Sequence, residues 1–325
     1  MKGADSPVDW KKYFPNQIML DKKIPIYYNN NTKGPNLFCL HGAGHSALSF
    51  SLLSELSKNY RLISYDFRAH ANNTSEPVDD LSMATLILDT EKVLLKINEL
   101  FPKDNIVVLG HSLGGAVAVK TCCHIFKTEF NKDLYDKIQG IIVVDVIEGS
   151  AMESLPFMKG VIEKRQNEFS SINEAISYMA STQIRNLQSC RVSIPPLLKQ
   201  VKNKKGKKVF TWKTDLMSTE KFWADWYKDL SKQFLSIRTP KALILTDTNE
   251  LDTPLTVGQM QGKFKLGVIK GTGHFIMEDD PMAMMEQINQ FCQVFRIPRT
   301  VDEIKTAKSK SGNQHKIVKY IEAKF

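Results

Sequence analysis

Short apolar runs recur along this chain, and each ends in a turn or polar residue. They cover residues 24–28, 37–40, 60–65, 106–109, 138–144, 242–246 and 266–269. The run at 37–40 leads into His41-Gly42-Ala43-Gly44, that at 106–109 into Gly110-His111-Ser112, and that at 138–144 into Asp145. Apolar runs of this length without polar alternation predict strands covered on both faces, as in a parallel sheet. Stretches with helical spacing lie between them. Residues 82–100 place Leu86, Val93, Leu94 and Ile97 on one face, which sets Asp89 and Glu91 outward. A helix at 116–126 follows Ser112, and another at 281–295 opens with proline and groups Met284, Met285, Ile288, Phe291 and Cys292. Strand–helix alternation of this kind predicts an α/β fold, a mostly parallel central sheet flanked by helices.

Residues 150–238 break the alternation. Helical patterns occupy 171–181, 183–193 and 219–233, the last holding Trp223, Trp226 and Tyr227, for which a packed helix face is the default expectation. Residues 199–208 contain six lysines in ten positions, a density that predicts a solvated, flexible loop. The stretch reads as a helical cap inserted into a core formed by residues 1–149 and 239–298. Residues 299–325 form a basic tail, expected to be partly disordered.

Composition narrows the class. With 42% hydrophobic and 24% charged residues in 325, wholesale disorder is excluded. No run approaches the ~18 apolar residues of a membrane helix, and the first residues carry no apolar leader, so no membrane partner is expected. The five cysteines, Cys39, Cys122, Cys123, Cys190 and Cys292, form no Cys-x-x-Cys pair, which argues against a zinc ribbon and a disulfide framework. A reducing compartment, cytoplasm or nucleus, is the expectation. The net charge of +9 invites a nucleic-acid reading, but it is unevenly spread: −1 over residues 1–150, +8 over 151–240, −2 over 241–298 and +4 over 299–325. No helix-turn-helix, RRM or KH signature accompanies it, so no nucleic-acid partner is expected.

The chemistry concentrates at the ends of the strands. Gly110-His111-Ser112-Leu113-Gly114 fits G-x-S-x-G between an apolar run and a helix. The glycines permit a sharp strand-to-helix turn that exposes the serine hydroxyl. Neither G-x-G-x-x-G nor a Gly-Lys-Ser/Thr phosphate loop is present. A serine hydroxyl needs a base. In the order Ser, acid, His, only His274 and His315 follow the insertion; His315 lies in the tail, whereas His274 lies between the last strand and the last helix. His41 and His111 are expected to orient loops. The acid is open between Asp145 and Asp252, with Asp247 behind them, because Asn249 stands where the common pattern places a carboxylate. The oxyanion donors expected are the backbone N–H groups of Ala43 and Leu113, with Gly42 and Gly44 allowing close approach.

Together these residues resemble the protein phosphatase methylesterases. These are α/β-hydrolases that remove a methyl ester from the C-terminal leucine of the type 2A phosphatase catalytic subunit. The likeness runs through residues 41–49, 110–112, 145–152, 183–187, 191–193, 219–223, 256–264 and 273–274. The resemblance implies that Asp145 is the triad acid beside Ser112 and His274. It also implies a serine carboxylesterase that needs no metal or organic cofactor, a phosphatase catalytic subunit as partner, and a chain that is monomeric when free. Substrate contacts are assigned by the same likeness to Gln259, Met260 and Gln261, with Gly42, Gly44 and His111 nearer the nucleophile. The chain departs from the family at 68–72, where Ala71 replaces the usual glycine. Two rival readings share the fold: a general small-ester esterase, and a non-catalytic phosphatase-binding module, against which the intact Ser112, His274 and Asp145 argue.

Overall fold

The computed structural model describes residues 5–128, 132–247, 251–300 and 302–303. Asn249, His315 and nearly all of the basic tail lie outside the described residues. The strands are β1 (Asn16–Leu20), β2 (Ile24–Tyr28), β3 (Asn36–Leu40), β4 (Arg61–Tyr65), β5 (Ile106–His111), β6 (Ile138–Val144), β7 (Leu198–Lys202), β8 (Lys208–Trp212), β9 (Lys241–Leu245) and β10 (Lys265–Val268). Eight of them form one sheet in the order β1-β2-β4-β3-β5-β6-β9-β10. The β1–β2 and β2–β4 pairs are antiparallel, and the pairs from β4 to β10 are parallel.

The central strands β3, β4, β5 and β9 are buried at every residue, which is why they read as unbroken apolar runs. Helices Met83–Leu100 and Leu113–Thr128 cover one face through Leu86, Val93, Leu94, Ala116 and Val119. Helix Pro281–Val294 covers the other through Met284, Met285, Ile288 and Phe291, together with Phe50 and Leu53. Strand β1 escaped the apolar pattern because it is an edge strand that alternates half-buried and exposed positions. Among the described residues no helix is long and apolar enough to cross a membrane.

The structure departs from expectation at Asp89 and at the lysine run. Asp89 does not face outward. It is buried on the inner side of its helix, where Arg68 donates from Nε at 3.0 Å and from Nη2 at 2.9 Å. Helical spacing cannot anticipate a guanidinium delivered from the loop after β4. The lysine run is not a loop either: it is the antiparallel hairpin β7–β8. Leu198, Val201, Val209 and Phe210 supply the apolar positions, and Phe210 exchanges backbone hydrogen bonds with Phe169 at 2.8 and 3.0 Å. Asn203 closes the turn, its Oδ1 accepting from Lys205 N and Lys207 N, with Gly206 at φ +75°.

Between β6 and β9 the chain forms a cap over the C-terminal ends of the parallel strands. Its first helix, Glu148–Lys164, buries no residue completely and roofs the cavity described below. Helices Ile172–Thr182 and Leu187–Ser193 follow, the latter starting later than the sequence pattern because Asn186 caps it. The pattern at 219–233 is broken into Trp223–Tyr227 and Leu230–Ser236, with Asp229 between them at φ +59°. Trp223, Trp226 and Tyr227 are all buried.

Candidate active site

The site grows from four strand ends at one edge of the sheet, the edge where open α/β sheets collect ligands. Strand β5 ends in a turn that holds Ser112 at φ +53°, with its N–H donating to Val144 O at 3.0 Å. The turn requires its glycines. A Cβ on Gly110 would lie 2.1 Å from Gly114 O, and one on Gly114 would lie 2.2 Å from Leu40 O. Helix Leu113–Thr128 therefore packs backbone to backbone against β3 and β5, and the strained serine is lifted to the rim.

Strand β6 ends at Asp145, also left-handed at φ +50° and anchored by its N–H to Ile244 O at 2.8 Å. Its Oδ2 lies 2.7 Å from His274 Nδ1, and its Oδ1 accepts from Thr246 N at 3.3 Å. A carboxylate at Nδ1 assigns the proton to that nitrogen and leaves Nε2 as the basic lone pair. His274 sits in the loop after β10, and His111 holds that loop: its Nε2–H donates to His274 O at 2.8 Å. Burial pushes His111 well below the usual imidazole range, and proximity to His274 adds to it. His111 is therefore a neutral donor.

Neither Asp252 nor Asp247 takes the place of Asp145. Asp252 caps helix Thr253–Met260, its Oδ1 accepting from Leu255 N at 2.9 Å and its Oδ2 from Ser231 Oγ at 2.5 Å. Asp247 is exposed.

The loop after β3 faces Ser112 and is braced by two neutral histidines. His41 donates from Nδ1 to Gly42 O at 2.8 Å and accepts from Phe67 N at 2.9 Å. His70 donates from Nδ1 to Arg68 O at 2.7 Å and accepts from Gly44 N at 2.9 Å. Burial pushes His70 down to about 4. Ala71, where the family's glycine would stand, takes φ +46° in this same loop. Among the described residues the N–H groups of Ala43 and Leu113 make no hydrogen bond, so both remain available to a ligand.

A cavity of about 1130 Å³ opens over these groups. Gly42, Ala43, His111, Ser112, Asp145 and His274 line its floor, and the cap supplies the roof, including Leu155, Met158, Ile162, Trp223, Trp226 and Tyr227. Burial pushes the Tyr227 phenol up to about 12, and the nearby Ser112 hydroxyl draws it partly back. Among the described residues no hydrogen bond joins Ser112 to His274. Gly44 lies just outside the lining, against Leu216. Gln259, Met260 and Gln261 are not in the cavity: they end a helix that packs only through Leu255 and Gly258, and they face solvent, with Met260 79% exposed. The stretch at 256–264 that carries part of the resemblance therefore lies outside the cavity. No motif announced the cap residues Arg165 and Tyr178, which also line the wall.

Known proteins share this architecture. A model of the alpha/beta hydrolase family matches residues 37–287. The fold recurs in E-2-(acetamidomethylene)succinate hydrolase, with a TM-score of 0.65 at 16% identity over 86% of this chain and 98% of that one. It recurs in an esterase of Mycobacterium tuberculosis, with a TM-score of 0.62 at 18% identity over 86% and 91%. A serine on a strand-to-helix elbow beneath a helical cap, with this match, makes the chain a member of the α/β hydrolases. Two relatives narrow the class. Protein phosphatase methylesterase 1 of Schizosaccharomyces pombe is 37% identical over 90% of this chain and 86% of its own length. The Homo sapiens protein of the same name is 32% identical over 88% and 84%. The chain belongs to the protein phosphatase methylesterase family, and it is a carboxylic ester hydrolase.

Proposed function

We propose that this enzyme hydrolyses the C-terminal leucine methyl ester of the type 2A phosphatase catalytic subunit through Ser112, His274 and Asp145. The observation that carries the proposal is the convergence of the three side chains on one cavity, with Asp145 fixing the His274 tautomer at 2.7 Å. The cavity, at about 1130 Å³, is far larger than a methyl ester needs and suits a peptide terminus.

In this reading Ser112 turns its hydroxyl toward His274, whose Nε2 takes the hydroxyl proton as Oγ attacks the ester carbonyl. The N–H groups of Ala43 and Leu113 receive the oxyanion. His274 returns the proton to the methoxide as the C–O bond breaks, and methanol leaves. Water, deprotonated by the same nitrogen, cleaves the acyl-enzyme and restores Ser112 with release of the carboxylate. Asp145 stays ionised and stabilises the imidazolium. Demethylation of carboxymethylated phosphatase, with Ser112→Ala as control, tests the reading. Turnover of the phosphatase by Ser112→Ala at the wild-type rate would sink it. A higher kcat/KM on p-nitrophenyl acetate than on the methylated phosphatase would transfer the enzyme to the small-ester esterases.

A further inference from the structure

Arg165 follows the helix Glu148–Lys164 and stands on the wall of the catalytic cavity. Its guanidinium carbon lies 3.5 Å from the centroid of Trp212. That ring is itself fixed: Nε1 donates to Gln166 O at 2.8 Å, and Phe169 meets it edge-on at 5.3 Å between centroids. Arg165 Nε is enclosed and has no hydrogen-bond partner, and among the described residues no carboxylate pairs with the guanidinium. Stacking on an indole offsets part of the cost of holding a cation out of water, but it satisfies none of the N–H donors.

The rest of the wall does not supply an anion. Its charged residues are Lys164, Arg165, Arg185 and Asp145, and Asp145 is engaged by His274. Arg185 is already held by Gly271 O. The ester end of the substrate brings no charge either, since methylation removes the terminal carboxylate. A planar fork fixed on an aromatic face matches a carboxylate in geometry and charge.

We propose that Arg165 binds an acidic side chain of the substrate peptide, in the segment leading to the esterified residue, and so selects acidic peptides. The proposal rests on the reading that a peptide methyl ester is the substrate. The other carboxylate in the reaction, the one released on the product, is a separate source of the same chemistry, and the experiment distinguishes the two.

The test uses short leucine-terminated peptide methyl esters with a single Asp moved position by position, each paired with its Asn twin. At one position the wild-type enzyme favours Asp over Asn in kcat/KM by about tenfold, the size of one charge-assisted hydrogen bond, through KM. Arg165→Gln brings that ratio to about one, and Arg165→Lys, which keeps the cation, retains a ratio between the two. Equal treatment of Asp and Asn peptides by the wild type at every position overturns the proposal. So does a ratio that survives in Arg165→Gln, or weaker inhibition of Arg165→Gln by the free-acid product with the ratio unchanged, which assigns the cation to the product. Binding of the corresponding uncleavable peptide amides, read as Kd, separates the two levels. If neither the peptide esters nor the carboxymethylated phosphatase is hydrolysed, the functional reading fails. An Asp/Asn difference in Kd that Arg165→Gln abolishes still supports the subsite, and equal Kd values overturn it.

Discussion

Replacing Asp145 with asparagine isolates the electrostatic part of the proposed triad. The new amide is nearly isosteric, and its orientation is dictated by Thr246, whose N–H already donates to Oδ1 at 3.3 Å. Keeping an oxygen there turns the amide nitrogen toward His274 Nδ1, now 2.7 Å from Oδ2. An N–H facing that nitrogen makes it an acceptor, so the imidazole proton moves to Nε2, where no lone pair remains to receive the Ser112 proton. In other triads this change lowers kcat by ~10⁴, about 5.4 kcal/mol of transition-state stabilisation. We expect a loss of that order in single-turnover demethylation of the carboxymethylated phosphatase, with the unfolding midpoint in urea unchanged. The control is Asp252→Ala, which removes a helix cap at about 1 kcal/mol of stability and leaves kcat intact. An Asp145→Asn enzyme with wild-type kcat, or an Asp252→Ala enzyme with the steep loss, would refute the assignment.

Further outcomes follow from the packing. Gly114→Ala places a methyl carbon 2.2 Å from Leu40 O; backbone must move, and we expect a loss of about 3 kcal/mol or more in urea unfolding, with no accumulation of acyl-enzyme. Arg68→Met strands the buried Asp89 carboxylate and should cost about 3–5 kcal/mol, most of it recovered in Arg68→Met with Asp89→Leu. Stability against pH should carry the mark of Glu278. Burial pushes this carboxyl up to about 7, against an ordinary value of 4.5 when unfolded. The folded state then holds the proton more tightly, so the contribution is complete below pH 4.5 and is lost as pH rises through 7. Glu278→Gln should gain stability relative to wild type over that interval in a pH series of melting temperatures, and a constant difference would contradict the burial argument.

The local chemistry and the parallel core were legible in the chain itself, because a doubly covered strand must be apolar throughout and a nucleophile elbow must be glycine-flanked. Ser112 and His274 could be picked out on those grounds, with the strand order of the sheet left open. The acid was open on those grounds, since Asp145 and Asp252 both follow strands, and only the family resemblance pointed to Asp145. Only the fold shows one carboxylate spent on a helix cap and a Ser231 hydroxyl, and the other facing an imidazole 129 residues away. Burial of charge was likewise invisible to pattern: Asp89 sits inward because Arg68 meets it there. The lysine run misled for a related reason. Its charges dominate the composition, while the hairpin is held by the few apolar residues among and beside them and by an Asn203 turn. Residue types and spacing therefore determine which groups are competent for ester hydrolysis. Which of them meet, and which cation of the cap faces the cavity unpaired, depends on contacts between segments far apart in the chain, and those exist only once the sheet and cap have packed.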